Sequence, residues 1–136
     1  MSKSAEVMAK KACEAMQHAY APYSKYKVGA CVSAEDGSLF TGCNVENASY
    51  GLTVCAERAA IFALISAGKK KVTALALVVS GDDLGTPCGA CRQVIREFAA
   101  PDAPIYLCDS RTQKIVEITN IETLLPKSFG PEHLEK

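Results

Sequence analysis

Net charge is the first thing this chain lacks: 15 lysines and arginines stand against 15 aspartates and glutamates. The balance implies no basic face, which counts against a nucleic-acid partner. No apolar run reaches the 18 residues needed to cross a membrane. The opening MSKSAEVMAKKACEAM has no apolar core of the secretory kind. A cytoplasmic location and no membrane partner are therefore expected. Histidine is scarce, with two residues. Neither His18 nor His133 has ligand spacing, and both read as surface residues. No glycine-rich phosphate loop occurs, and no repeat, low-complexity tract or linker divides the chain. Its 136 residues are expected to form one domain, 1–136, large enough for a core of its own.

Cysteine is what the chain has. There are seven, an odd number without the paired spacing of a disulfide framework. Three of them lie in VCAER (54–58) and TPCGACRQV (86–94), each reading as the first turn of a helix. Thiolates are soft ligands that suit Zn²⁺, and three protein ligands leave the fourth tetrahedral position open, as in a catalytic site. Cys55, Cys88 and Cys91 are the expected ligands of one zinc per chain. Helix N-termini carry partial positive charge and favour thiolate over thiol. Glu57 is a poor fourth ligand in a thiolate set but well suited to moving protons beside a metal-activated water. A lone C-x-x-C is a weak signal. C-x-E followed by P-C-x-x-C on a second helix, with a strand between, is strong, and a three-cysteine form of the zinc deaminase signature has this pattern. Cys13, Cys31, Cys43 and Cys108 fall in predicted helix or strands and read as small buried hydrophobes.

The coarse pattern is α-β-β-α-β-α-β-β-α. Apolar residues at Met8, Ala12, Ala15, Met16 and Ala19 predict a helix over 4–20. KVGACVSA and SLFTGCNV flank Glu35-Asp36-Gly37 as a hairpin. A helix over 55–67 stops at Gly68. The valine-rich run VTALALVVS (72–80) reads as a strand covered on both faces. A helix over 88–99, strands at 104–109 and 114–118, and a short helix at 121–125 complete the order. Crossovers around the third and fourth strands require parallel pairing there. The expected fold class is α/β: a five-stranded mixed sheet with helices on both faces.

The chain closely resembles the small cytidine deaminases with three cysteine ligands. Beyond the zinc motifs, YSKYKVGA (23–30), NVENASYG (44–51) and LLPKSFGP (124–131) carry the resemblance in order and spacing. It implies the same three-layer α/β/α sandwich and hydrolytic deamination of cytidine and 2′-deoxycytidine to uridine and 2′-deoxyuridine plus ammonia. In the implied mechanism zinc-bound hydroxide attacks C4, while Glu57 moves one proton to N3 and another to the departing amine. Arg58 is implied to sit against the thiolates, whose negative excess needs compensation. The alternative for Arg58 is an ordinary surface position. Substrate contacts are implied for the Ala56 N–H at base O2, the Thr86 carbonyl at the amino group, and Asn44 and Glu46 at the ribose and base edge. Asn44 and Glu46 also fit a polar strand end with Asx-type turn bonding. Tyr26 stands where the family has a phenylalanine stacking on the pyrimidine. Ser128 stands where alanine is more usual, and little consequence is expected. Tyr50 and Phe129 match aromatic positions that reach a neighbour's active site in a homotetramer, although Phe129 could fold back onto its own chain.

Three competing readings follow from the same residues. A related deaminase acting on another cytosine compound would share the zinc site, but NVENASYG, Phe129 and the zero net charge favour a free nucleoside. A structural zinc module would need a fourth ligand, and no spare cysteine or histidine is well placed. A thiol-redox domain would leave Cys55-x-Glu57 unexplained.

Overall fold

The computed structural model describes residues 3–134. Helix α1 (Lys3–Met16) buries Ala5, Met8, Ala9, Ala12, Cys13 and Met16, a stripe at helical spacing. It stops four residues short of the predicted end. Gln17, His18 and Ala19 close tight turns onto Glu14, Ala15 and Met16, after which Tyr20 exchanges backbone hydrogen bonds with the 44–46 segment. Tertiary pairing at Tyr20 thus overrides a helical pattern that continues to Ala19.

Strands β1 (Val28–Ala34) and β2 (Leu39–Cys43) form the expected hairpin, and Gly37 supplies the positive φ of its turn. Helix α2 (Ala56–Ser66), strand β3 (Val72–Val79), helix α3 (Gly89–Phe98), strands β4 (Ile105–Cys108) and β5 (Ile115–Thr119) and the short helix α4 (Ile121–Leu124) follow. The sheet order is β2-β1-β3-β4-β5. Among the strands of the described residues only β3 and β4 pair in parallel, as the crossover through α3 demands. The three-layer α/β/α architecture is the expected one.

Strand alternation divides the core in two. Ala30, Val32, Leu75, Leu77 and Leu107 pack with Ala60, Ile61, Leu64 and Ile95 from α2 and α3. Cys31, Ala74, Ala76, Val78 and Cys108 pack with Met8, Ala9, Ala12, Cys13 and Met16 of α1. Cys13, Cys31 and Cys108 are buried as expected, whereas Cys43 is half-buried. One close approach positions the functional helix. A Cβ at Gly42 on β2 would lie 2.5 Å from the Ala60 nitrogen and 2.6 Å from the Ala56 oxygen. The bare backbone of Gly42 therefore lets the first turns of α2 rest directly on the sheet. No helix among the described residues is long and apolar enough to cross a membrane.

Candidate metal and active site

Two helix starts meet beside the ends of the central strands β1 and β3. Cys55 is the N-cap of α2 and Cys88 the N-cap of α3, both extended in backbone and neither using its side chain as a cap. The sulfurs are thus not committed to the first-turn N–H groups that a serine or aspartate would take. Cys91 is buried in the first turn of α3. The three Sγ atoms all lie within 4.8 Å of one another, and Cys55 and Cys88 are 3.7 Å apart. Sulfurs bound tetrahedrally at about 2.3 Å from zinc would be separated by about 3.8 Å. The donor set and spacing fit zinc, with no fourth protein ligand in the cluster among the described residues.

Charge around the sulfurs points the same way. Arg58 Nη2 donates to Cys55 Sγ at 3.4 Å, and its Nε is buried without a partner. A buried N–H of this kind calls for an acceptor, and the thiolate cluster is the nearest source of negative charge. A hydrogen bond from Cys91, with help from Arg58, holds the Cys55 thiol well below its ordinary range, at about 5. The same shared proton, together with burial, pushes Cys91 up. Without a cation Cys55 and Cys91 thus share a proton. A divalent ion provides the reason for all three to ionise.

Glu57, in the first turn of α2, is only 4% exposed. Burial pushes its carboxyl up to about 7, and the neighbouring Cys55 charge adds to the rise. A carboxyl poised near neutrality can both take and return a proton.

A cavity of about 250 Å³ opens over these groups, lined by Tyr26, Val28, Asn44, Glu46, Cys55, Glu57, Thr86 and Cys88 among others. It therefore gathers most of the residues expected at the site. Ala56, fully buried, opens α2, where backbone N–H groups have no intrahelical acceptor. A second space of about 370 Å³ continues outward past Ser24, Glu46 and Thr53 to Tyr23 and Tyr50, whose rings meet edge to face at 5.9 Å. A groove of about 620 Å³ lies between α1 and residues 112–115. It contains none of the expected site residues.

Asn44 and Glu46 already have partners within the chain. Asn44 Oδ1 accepts from the Val28 N–H at 2.8 Å, and its amide donates to the Tyr26 carbonyl at 2.8 Å. It thus fixes the backbone that carries Tyr26. Glu46 accepts from the Tyr23 and Ser24 N–H groups and from the Ser24 hydroxyl. The Ser24 bonds hold its carboxyl below the usual range, so it is ionised at neutral pH. Ser24 was missed in the sequence: the Y-S-K block contains it, but nothing local shows that it meets a carboxylate 22 residues away.

The exposed aromatics behave differently. Tyr50 is 75% exposed and Phe129 57%, and Phe129 does not line the cavity. The tail bearing Phe129 is tied to α3. Gln93 donates to the Phe129 carbonyl at 2.9 Å, Arg96 donates to Ser128 Oγ at 2.7 Å, and Arg96 also pairs with Glu132. At Ser128, where little consequence is expected, the hydroxyl gives Arg96 an acceptor that alanine lacks. His133 is exposed, as expected, yet it bonds to the Gly130 N–H and stacks on Phe129 at 5.3 Å.

Comparison with known proteins agrees with this geometry. The family model described as cytidine and deoxycytidylate deaminase zinc-binding region matches residues 2–107. The chain is 46% identical to a cytidine deaminase of Sporosarcina psychrophila over 89% of this chain and 88% of that protein. It is 44% identical to a cytidine deaminase of Halalkalibacterium halodurans over 95% and 96% of the two chains. Among solved structures, the cytidine deaminase from Burkholderia pseudomallei superposes with a TM-score of 0.85 at 44% identity, covering 95% of this chain and all of that one.

Proposed function

This chain belongs to the cytidine and deoxycytidylate deaminase family, and on that premise we propose that it hydrolyses free cytidine and 2′-deoxycytidine to the corresponding uridines and ammonia. The observation that carries the reading is the three-sulfur cluster beside the buried Glu57, with Cys55, Cys88 and Glu57 lining one cavity. Zinc bound at Cys55, Cys88 and Cys91 supplies Lewis-acid activation of water. The protein's own residues do the rest. Glu57 takes a proton from the attacking water and passes it to N3 as the C4–O bond forms. It then carries the second proton from that oxygen to the exocyclic nitrogen as the C4–N bond breaks. Ammonia leaves, C4 becomes a carbonyl, and Glu57 is unchanged. Arg58 offsets the negative excess of three thiolates.

Recognition is assigned to the surrounding wall. Tyr26 stacks on the pyrimidine, and Asn44 and Glu46 take the 3′-hydroxyl and part of the base edge. The Ala56 N–H meets O2. The Thr86 carbonyl accepts from the amino group and repels the O4 of uridine. Phe129 and Tyr50 are assigned to contacts between chains in a homotetramer, where a neighbour's tail closes the open cavity. Their exposure supports this, since both rings are left open to a neighbouring chain.

Loss of ultraviolet absorbance on mixing with cytidine, with and without a zinc chelator, tests the reaction. Cytidine and 2′-deoxycytidine should react much faster than CMP. Chelator-resistant turnover would refute the metal role, and equal efficiency on CMP would refute the nucleoside preference.

A further inference from the structure

Arg92 follows the ligand Cys91 on α3 and serves three acceptors at once. Its Nε donates to the Pro87 carbonyl at 2.7 Å, its Nη2 to Thr86 Oγ1 at 3.1 Å, and its Nη1 to the Leu124 carbonyl at 2.8 Å. Residues 84–88 have no regular secondary structure, so no strand ladder orients their peptide groups. The bonds to Thr86 and Pro87 flank the peptide unit that joins these two residues. That unit carries the Thr86 carbonyl. Its direction is thereby held from both ends by one rigid planar fork, while the third bond anchors the fork to the end of α4. A lysine ammonium cannot reproduce that fork.

We infer that Arg92 is a positioning residue that aims the Thr86 carbonyl and so sets discrimination between the 4-amino substrate and the 4-oxo product. This rests on the assignment of that carbonyl to the exocyclic amine. A correctly aimed acceptor attracts an amino donor and repels a carbonyl oxygen; a carbonyl free to turn does neither well. Loosening the clamp should therefore weaken cytidine binding while relieving the penalty on uridine. Cys91 and the metal set need not change.

The test uses zinc-loaded Arg92→Lys and Thr86→Val, with three measurements: zinc per chain, KM for cytidine, and the uridine dissociation constant by titration calorimetry. The ratio of uridine dissociation constant to cytidine KM should fall about fivefold in Arg92→Lys, the worth of roughly one hydrogen bond. Thr86→Val, which removes only the Nη2 bond, should move it less and in the same direction, with zinc retained in both. An unchanged ratio in both variants would overturn the assignment. So would zinc loss with both constants rising together, which would make Arg92 a support for the metal helix. If Arg92→Lys does not fold, an unchanged ratio in Thr86→Val overturns it alone. Absence of cytidine turnover in the wild type is a separate failure, which removes the substrate reading and this assignment with it.

Discussion

Replacing Glu57 by glutamine separates what the carboxyl does for catalysis from what it does to stability. Glu57 is buried in the first turn of α2, and burial raises its carboxyl from the ordinary 4.5 to about 7. Below about 4.5 the group is protonated whether the chain is folded or not, and no cost arises. Between 4.5 and 7 the unfolded chain gives up the proton while the folded chain keeps it, so stability falls as pH rises. Above about 7 the full cost stands. A rise from 4.5 to about 7, at about 1.4 kcal/mol for each tenfold change in proton affinity, makes that cost about 3 kcal/mol. Glutamine has the same shape and no charge. In chelator-treated, reduced protein, Glu57→Gln should match the wild type near pH 4 and exceed it by about 3 kcal/mol at pH 8. Urea denaturation across the pH range measures this. With zinc restored, the same variant should lose more than the roughly 10²–10⁴-fold of ordinary acid–base catalysis, because one group serves successive proton transfers. Parallel stability curves for the two proteins would refute the burial argument. Retention of a tenth of wild-type turnover would refute the shuttle.

Cys88→Ala should lose tightly held zinc, and full occupancy by metal analysis would remove Cys88 from the ligand set. Gly42→Ala should force α2 off the sheet, because its Cβ would meet backbone atoms at 2.5 and 2.6 Å. A cost of about 1–3 kcal/mol with weakened zinc retention is expected, and an unchanged urea midpoint would contradict it. Phe129→Ala should raise KM or lower kcat, and light scattering of the wild type should give about four chains per particle; a fully active monomer would defeat the shared site. Ser128→Ala removes the Arg96 partner at 2.7 Å and should cost about 1 kcal/mol, read as a shifted denaturation midpoint; an unchanged midpoint would show that the bond contributes nothing to stability.

By itself the sequence determined what depends on local order. Cys55-x-Glu57 and Pro87-Cys88-x-x-Cys91 stand at helix starts because caps, turns and apolar periods act over a few residues. The strands, the two-sided burial of β3 and the parallel β3–β4 pair followed from the same short patterns and one rule of crossover connection. Tertiary structure decided what depends on residues far apart in the chain. It brought the Cys55 and Cys88 sulfurs to 3.7 Å across 33 residues. It ended α1 at Met16 by recruiting Tyr20 to the 44–46 segment. It tied Asn44 and Glu46, read in the sequence as substrate contacts by resemblance or as a polar strand end, to the backbone at Tyr26 and Ser24. It gave Ser128 a guanidinium partner and Arg92 three acceptors on two separate segments. Such bonds have no sequence period, because their partners meet only after the sheet and its covering helices have packed.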